Sequence, residues 1–312
     1  MAITAAMVKE LREMTGSGMM DCKKALTATE GDMEKAVEWL REKGLATAQK
    51  KAGRIAAEGI VKVLVSDDAK KAVAVEVNAE TDFVAKNDKF QGYVAQVAEQ
   101  AMETTAADID AFLAETWKFD TSKTVAEELA GQISVIGENM KIRRFVQVEE
   151  PNGFVASYTH MGGKIGVLVD VESDVVNDEV KEMAKNLAMQ IAALKPLYVS
   201  DAEVPEEYKE HEKEILAAQI ANDPKMAGKP EKVIAGAVMG RLSKELKEIC
   251  LLDQVYVKAE DGKQPVAAYV KEVAKANGAN INVKSFVRYE TGEGIEKKQE
   301  DFAAEVAAQM NM

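Results

Sequence analysis

The sequence predicts an α+β protein whose core consists of two related subdomains, each with helices packed on an antiparallel sheet. Two internal matches support this prediction. Residues 59–77 match residues 153–171, and residues 125–148 match residues 266–289. Apolar and polar residues alternate in the strand-like segments, which is typical of strands with one buried face. Each copy therefore predicts a hairpin, a helix, a further helix, a Gly-x-Asn turn and a final strand.

These matches divide the chain into four parts. We expect a small N-terminal three-helix domain with its connector at residues 1–55 and a first core subdomain at residues 56–150. A second core subdomain follows at residues 151–290, with a helical hairpin inserted at about residues 200–252. Residues 291–312 form the predicted C-terminal helical module.

The composition excludes several classes of protein. The chain has 312 residues, of which 47% are hydrophobic and 5% aromatic, and its net charge is −13. A chain of this length can bury a sizeable core in two or more domains. The negative charge argues against nucleic acid as a partner, because affinity for nucleic acid comes largely from neutralising phosphates. A protein or a small ligand is the expected partner.

The sequence also predicts a cytoplasmic protein that does not bind membranes. No apolar run approaches the ~20 residues that a membrane-spanning helix needs, and the N-terminus does not resemble a signal or transit peptide. Cys22 and Cys250 lie far apart in the chain. Such sparse cysteines fit a reducing compartment without structural disulfides.

Three short helices are predicted in the N-terminal domain. The first follows Thr4, the second begins at Met19, and the third follows Asp32 and ends at Gly44. Met19 and Met20 are adjacent, and neighbouring helical residues point about 100° apart. We therefore expect one of the two to be buried and the other to be exposed. An exposed methionine is an adaptable contact surface, and the sequence leaves core packing and partner contact open.

The first copy of the repeat contains four extra residues where a strand passes into a helix. Gly59 precedes its counterpart Gly153 by 94 residues, whereas Phe90 precedes its counterpart Val180 by 90. The extra residues that fit this joint are Thr81, Asp82, Phe83 and Val84. Such joints lie on the surface. The phenylalanine therefore either folds back into the core or projects towards a partner, and the sequence leaves both alternatives open.

The second copy contains the inserted hairpin, predicted as helices at residues 205–220 and 230–249. Ile234, Val238 and Leu242 form an apolar stripe on the second helix. Apolar residues of the first helix face this stripe, and we expect its exposed part to support self-association. A last helix is predicted at residues 300–309, with Phe302 on its apolar face.

We predict no catalytic residues, metal site or cofactor site. The chain has only two histidines, His160 and His211, and no spacing typical of zinc ligands. It also has no glycine-rich loop that would hold a phosphate. His160 falls at a predicted hairpin turn. The sequence leaves two alternatives open for it: a solvated turn residue or a partner contact. His211 lies among glutamates and is predicted to be helix surface. We therefore do not expect an enzyme.

Three separated motifs carry a resemblance to a known family. They are TGSGMMDCKKAL at residues 15–26, TDFVAKN at residues 81–87 and GEGIE at residues 292–296. Together they resemble bacterial translation elongation factor Ts, in order and over essentially the whole chain. Members of that family are guanine nucleotide exchange factors for elongation factor Tu. The resemblance implies a ubiquitin-associated-like N-terminal domain, a two-subdomain core, a coiled-coil hairpin and a C-terminal helical module.

The resemblance further implies which residues contact the partner. Asp82 and Phe83 resemble a pair that enters the partner's GTPase domain near its Mg²⁺ and phosphate site. The other residues that match partner contacts are Arg12, Met19 and Met20 in the N-terminal domain, Ile136, Gly137 and His160 in the core, and Phe302 in the terminal module. The alternative is a passive adaptor that binds proteins through the N-terminal helices.

Overall fold

A computed structural model describes residues 2–226 and 228–296. The described part of the chain contains eleven α-helices and two three-stranded antiparallel sheets. The predicted α+β class is therefore confirmed. Phe302 and the helix predicted at residues 300–309 lie outside the described residues. No helix within the described ranges is long and apolar enough to cross a membrane.

The N-terminal helices are α1 (Ala5–Thr15), α2 (Met19–Ala28) and α3 (Met33–Lys51). The side chain of Thr4 caps α1 and that of Asp32 caps α3, in both cases by accepting a backbone N–H of the first turn. The three helices share a small core formed by Leu11, Cys22, Ala25, Leu26, Ala36 and Leu40.

The first unit of the core runs from residue 58 to residue 149. Its elements are β1 (Glu58–Val65), β2 (Lys71–Ala79), α4 (Asp82–Ala85), α5 (Asp88–Glu103), α6 (Ile109–Ala114), α7 (Val125–Ile136) and β3 (Met140–Glu149). The central strand is β2, which pairs with both β1 and β3. Its valines pack against α5 and α7 in the main core of this unit.

The second unit runs from residue 153 to residue 290 and repeats this order. Its elements are β4 (Gly153–His160), β5 (Ile165–Ser173), α8 (Asp178–Leu194), α9 (Glu206–Ala221), α10 (Glu231–Ile249), α11 (Val266–Asn277) and β6 (Ile281–Glu290). The helices α9 and α10 form the inserted hairpin. The central strand is β5, and the sheet order is β4-β5-β6.

The two units agree in detail. A β-bulge interrupts the register at Glu76 in the first sheet and at the matching Asp170 in the second. The side-chain amide of Gln100 donates to the carbonyl of Thr116, and that of the matching Gln190 donates to the carbonyl of Val255. The shared bulge and the shared amide bond support the internal repeat detected in the sequence.

The sheets of the two units pack against each other through small and β-branched side chains. Ala72 and Ala74 of β2 contact a cluster that includes Val155 of β4 and Leu168 of β5. Because β2 and β5 therefore have neighbours on both faces, most of their residues are buried. The two units form one continuous body through this interface.

The third helix is longer than predicted. We expected Gly44 to end it, but α3 continues to Lys51, with Gly44 buried inside. A Cβ atom at Gly44 would lie 3.6 Å from the carbonyl oxygen of Ala130 and 3.7 Å from the Cα of Gly131, both in α7. Both distances are ordinary van der Waals contacts, so Gly44 lies at a helix crossing rather than at a helix end. Through this crossing, the second half of α3 packs on the first unit.

The hairpin has the predicted helices, but its apolar stripe is not available for self-association. Val238 and Leu242 of α10 are buried against Leu216 and Ile220 of α9. Ile234 is partly buried in the same cluster. The expectation that part of this stripe is exposed is therefore wrong, because the stripe closes the hairpin on itself; self-association through the hairpin stays a prediction.

A buried carboxyl group in the second sheet should make stability depend on pH. Asp170 is buried beside Glu150, and both this burial and the neighbouring carboxylate raise the pKa of Asp170 to about 6. A raised pKa in the folded state means that the protonated form favours folding, and that this contribution is lost as pH rises through about 6. We expect Asp170→Asn to raise the melting temperature more at pH 8 than at pH 5. An equal change at both pH values would contradict the assignment.

Candidate functional site

The joint between β2 and α5 is four residues longer than the matching joint in the second unit. Residues 80–87 connect β2 to α5, whereas residues 174–177 connect β5 to α8. The extra length forms the single turn of α4, Asp82–Ala85. The predicted insertion is therefore confirmed, and it is a short helix rather than an irregular loop.

Phe83 projects from α4 into solvent. Its side chain is 80% exposed, whereas Val84 and Ala85 pack against the core of the first unit. The alternative in which Phe83 folds back into the core is therefore wrong. Val84 anchors α4, and Phe83 is left on its outer side. Exposure of a large aromatic ring costs the hydrophobic stabilisation that burial would give, and function is a common reason for such a cost.

One carboxylate, that of Glu138, clamps Thr81, the residue that caps the start of α4. Glu138 accepts hydrogen bonds from the backbone N–H of Thr81 at 3.0 Å and from the Thr81 hydroxyl at 2.6 Å. The Thr81 oxygen in turn accepts the N–H of Val84 at 3.3 Å. Glu80 accepts the N–H of Asn139 at 2.5 Å. The start of α4 and the turn after α7 are thus fastened to each other in both directions.

The charge on α4 is partly balanced. Lys86 lies one turn from Asp82, and their charged atoms are 2.6 Å apart. The hydrogen bond from Lys86 lowers the pKa of the Asp82 carboxyl. Lys164 of the second unit also acts on this carboxylate. Asp82 is therefore ionised at neutral pH, and its side chain is about half exposed.

The turn between β4 and β5 lies against the same strand as α4. Both α4 and this turn contact β1. Lys164 donates to Glu58 at 2.8 Å, and Gly163 sits so close to β1 that a Cβ would lie 2.7 Å from a methyl carbon of Ile60. His160, at the end of β4, is exposed, and its Nδ1 atom lies 3.0 Å from the hydroxyl oxygen of Tyr158. The structure therefore brings the second unit's turn to the side of the molecule that carries Phe83.

A buried ion network joins the two units next to this side. Glu76 is fully buried and accepts from Arg143 at 3.0 Å and from Arg144 at 2.6 Å. It also accepts the backbone N–H of Gly292 at 2.8 Å. Arg143 donates to the carbonyl of Glu293 at 2.5 Å. The network fixes the segment after β6 against the first sheet.

The N-terminal residues that resemble partner contacts are exposed. Met19 is 60% and Met20 is 64% exposed. The expectation that one would be buried is wrong, because both lie in the first turn of α2 while the buried residues begin at Cys22. Arg12 is also exposed.

The end of α7 connects the N-terminal helices to Glu138, the carboxylate that holds the start of α4. Lys51 of α3 donates to the carbonyl of Gly137, the residue that ends α7 in the left-handed conformation. Ile136, just before it, is half-buried and packs on the core of the first unit. The next residue in the chain is Glu138. Of the predicted site residues within the described ranges, Thr81 to Val84 and the Ile136–Gly137 turn are therefore directly connected.

Comparison with known proteins decides the family. The family model described as elongation factor TS matches residues 80–293. The chain is 53% identical over 305 residues to elongation factor Ts of Clostridium perfringens, covering 98% of both chains. It is 52% identical over 308 residues to the elongation factor Ts proteins of Clostridium tetani and Clostridioides difficile, covering 99% of each chain. The chain belongs to the elongation factor Ts family.

In this member of the elongation factor Ts family, sequence reasoning missed Glu138. The internal repeat contains the signal that could have found it. Glu138 matches Ala279 in the second unit, which also lacks the inserted turn. A carboxylate that is present only in the copy with the insertion is expected to serve that insertion. Lys164 was missed because only the packing of the two units brings it near Asp82.

We expect Glu138→Gln to slow nucleotide exchange more than it destabilises the fold. The amide can accept only one of the two hydrogen bonds from Thr81, and a bond to a charged group contributes about 1.5–3 kcal/mol. Because the lost bond lets α4 move away from its binding position, we expect the exchange rate to fall by about tenfold. The control is Glu149→Gln, which affects only a surface pair with Lys71. Equal exchange rates in the two variants would contradict the clamp.

Proposed function

We propose that this chain promotes the release of GDP from the GTPase elongation factor Tu, in the cytoplasm during translation elongation. The observation that carries the proposal is Phe83, exposed on a clamped single turn in a chain of the elongation factor Ts family. An exposed aromatic side chain on a backbone turn that is already held in place can insert into a partner without the cost of ordering that turn on binding.

The physical basis is linkage between two ligands of one partner. A GTPase holds its diphosphate through Mg²⁺ and backbone amides, so nucleotide affinity depends on an ordered site. A protein that binds better to the disturbed form of that site weakens nucleotide binding by the same factor, and the nucleotide weakens the protein reciprocally. No covalent step is required. We propose that Phe83 enters the partner and that Asp82 brings a negative charge near the Mg²⁺ and phosphate site.

The remaining contacts are proposed from the family resemblance. Burying one phenylalanine contributes about 1.5–3 kcal/mol, or roughly one to two decades in affinity. A larger acceleration therefore needs further contacts. We assign these to the methionines at positions 19 and 20 with Arg12, to the turn that carries His160, to the end of α7 at Ile136 and Gly137, and to the terminal segment with Phe302.

The proposal is distinguished from a passive adaptor by a binding experiment. The affinity of the chain for nucleotide-free elongation factor Tu is measured by calorimetry, and then for the same factor with saturating GDP and Mg²⁺. An exchange factor requires a much weaker affinity in the presence of GDP, because the coupling is reciprocal. The adaptor alternative predicts equal affinities, and that result would overturn the proposal.

A further inference from the structure

An open groove lies in the second unit between α11 and the start of β6. Its volume is about 810 Å³. Apolar residues form much of its lining, including Leu252, Val270, Ala274 and Ile281. Two carboxylates, Glu172 and Asp174, lie at its edge. Nothing in the proposed exchange function uses this groove.

The matching surface of the first unit is covered. Ala130, Ile133, Asn139 and Met140 are all buried there. Their counterparts in the second unit are only half-buried or exposed: Lys271, Ala274, Asn280 and Ile281. The two surfaces have the same backbone plan, so the difference in burial arises from what packs on them.

The cover in the first unit is the second half of α3 and the residues just after it. Gly44 lies where α3 crosses α7, and Ala48 packs on the core of the unit. Lys51 donates to the carbonyl of Gly137, beyond the end of α7. The backbone carbonyl oxygen of Arg54 accepts from the Asn139 side-chain amide at 2.7 Å, and the Arg54 guanidinium pairs with Glu80 at 3.5 Å. The cover is thus a helix with small residues on its contact side and basic residues at its C-terminal end.

We propose that the groove of the second unit binds one helix of a partner protein, with the same chemistry as α3: small residues along the contact and Lys or Arg at the C-terminal end. The carboxylate that pairs with Arg54 in the first unit has a counterpart in Asp174, which matches Glu80. Glu172 adds a second negative charge where the first unit has the neutral Asn78. Lys271 stands in the lining where the first unit has Ala130, and Ala279 where it has Glu138, so the negative charge is confined to the end of the groove beside β5. That end corresponds to the place of Arg54 in the first unit, which favours a basic helix end there.

This helix would bind at the same time as the exchange partner. The groove adjoins the end of β5 near Ser173, whereas the turn that carries His160 adjoins its beginning. The strand has nine residues, so at about 3.3 Å per residue its two ends are roughly 26 Å apart. The groove therefore provides a second attachment point on a chain that is engaged elsewhere.

The test uses a peptide with the sequence of residues 41–54 as the probe. This peptide contains five basic residues and one acidic residue, together with the glycine and alanines of the α3 contact. Its binding to the full chain is measured by fluorescence anisotropy at physiological salt. A scrambled peptide of the same composition controls for non-specific attraction to an acidic protein. Ala274→Trp fills the groove, and Ala276→Trp, also on α11 but outside the groove lining, is the matched control.

We expect the peptide to bind the wild-type chain and the Ala276→Trp variant with equal affinity, and the Ala274→Trp variant at least tenfold more weakly. Glu172→Lys is expected to weaken binding by a similar factor. Three results would each overturn the proposal: no binding to the wild-type chain, equal binding of the scrambled peptide, or equal binding to the two tryptophan variants. GDP release from elongation factor Tu should be the same for both tryptophan variants, so the proposed exchange function is tested separately.

Discussion

Replacing Phe83 with alanine is expected to slow the release of GDP from elongation factor Tu by about 10- to 100-fold at subsaturating concentrations of the chain. This range corresponds to the loss of one buried phenylalanine contact, about 1.5–3 kcal/mol, in the complex. The melting temperature of the free chain should not fall, because the ring is 80% exposed and stabilises nothing in the free protein. Release rates and melting curves are measured on the same preparations.

The matched control for this variant is Phe119→Ala. Phe119 is also an exposed phenylalanine of the first unit, but it lies beyond α6 and contacts Trp117. We expect this control to leave exchange unchanged. If Phe83→Ala exchanged nucleotide at the normal rate, α4 would not be the element that enters the partner. A large fall in melting temperature would mean that Phe83 supports the fold.

Replacing Glu76 with alanine is expected to produce the largest loss of stability. Its carboxylate is fully buried and accepts from two arginines and from the backbone of Gly292. Removing one partner of a buried ion network typically costs about 3–5 kcal/mol, because the remaining charges lose their compensation. Urea unfolding at neutral pH measures this free energy. Glu103→Ala provides the control, since its exposed pair with Lys118 should contribute at most about 1 kcal/mol.

The Glu76 variant also tests how the two units act together. The network holds the segment after β6 on the first sheet, close to the turn that contacts β1. We therefore expect the folded fraction of the variant to exchange nucleotide more slowly than wild type. Normal stability in Glu76→Ala would show that the arginines find other partners. In that case the network would not be what joins the two units.

Much of the fold could be predicted from the sequence because the repeat supplied two independent views of one unit. The four-residue difference between the joints located α4. Because the flanking strands and helices of the two units have similar lengths, the four extra residues must lie in the joint between β2 and α5. The end of α3 could not be predicted this way. Glycine commonly ends helices, and only the packing of α3 on α7 shows that Gly44 lies inside the helix, at the crossing.

The site was predicted less completely than the fold, for a related reason. Phe83 follows from the local sequence, but its clamp depends on Glu138, which is distant in the chain and meets Thr81 only when α7 and β2 end side by side. The exposure of both Met19 and Met20 depends on where the three-helix core stops. The stripe with Val238 was assigned to self-association because the sequence does not show how tightly α9 covers it.

The most direct test of the exchange proposal is the release of fluorescent GDP from elongation factor Tu, followed by stopped flow in excess unlabelled GDP. The proposal predicts that the release rate constant rises with the concentration of this chain and then saturates. It predicts that Phe83→Ala shifts this curve strongly and that Phe119→Ala does not. A release rate that stays constant while a complex demonstrably forms would contradict the account, and would leave the chain as a passive binder of its partner.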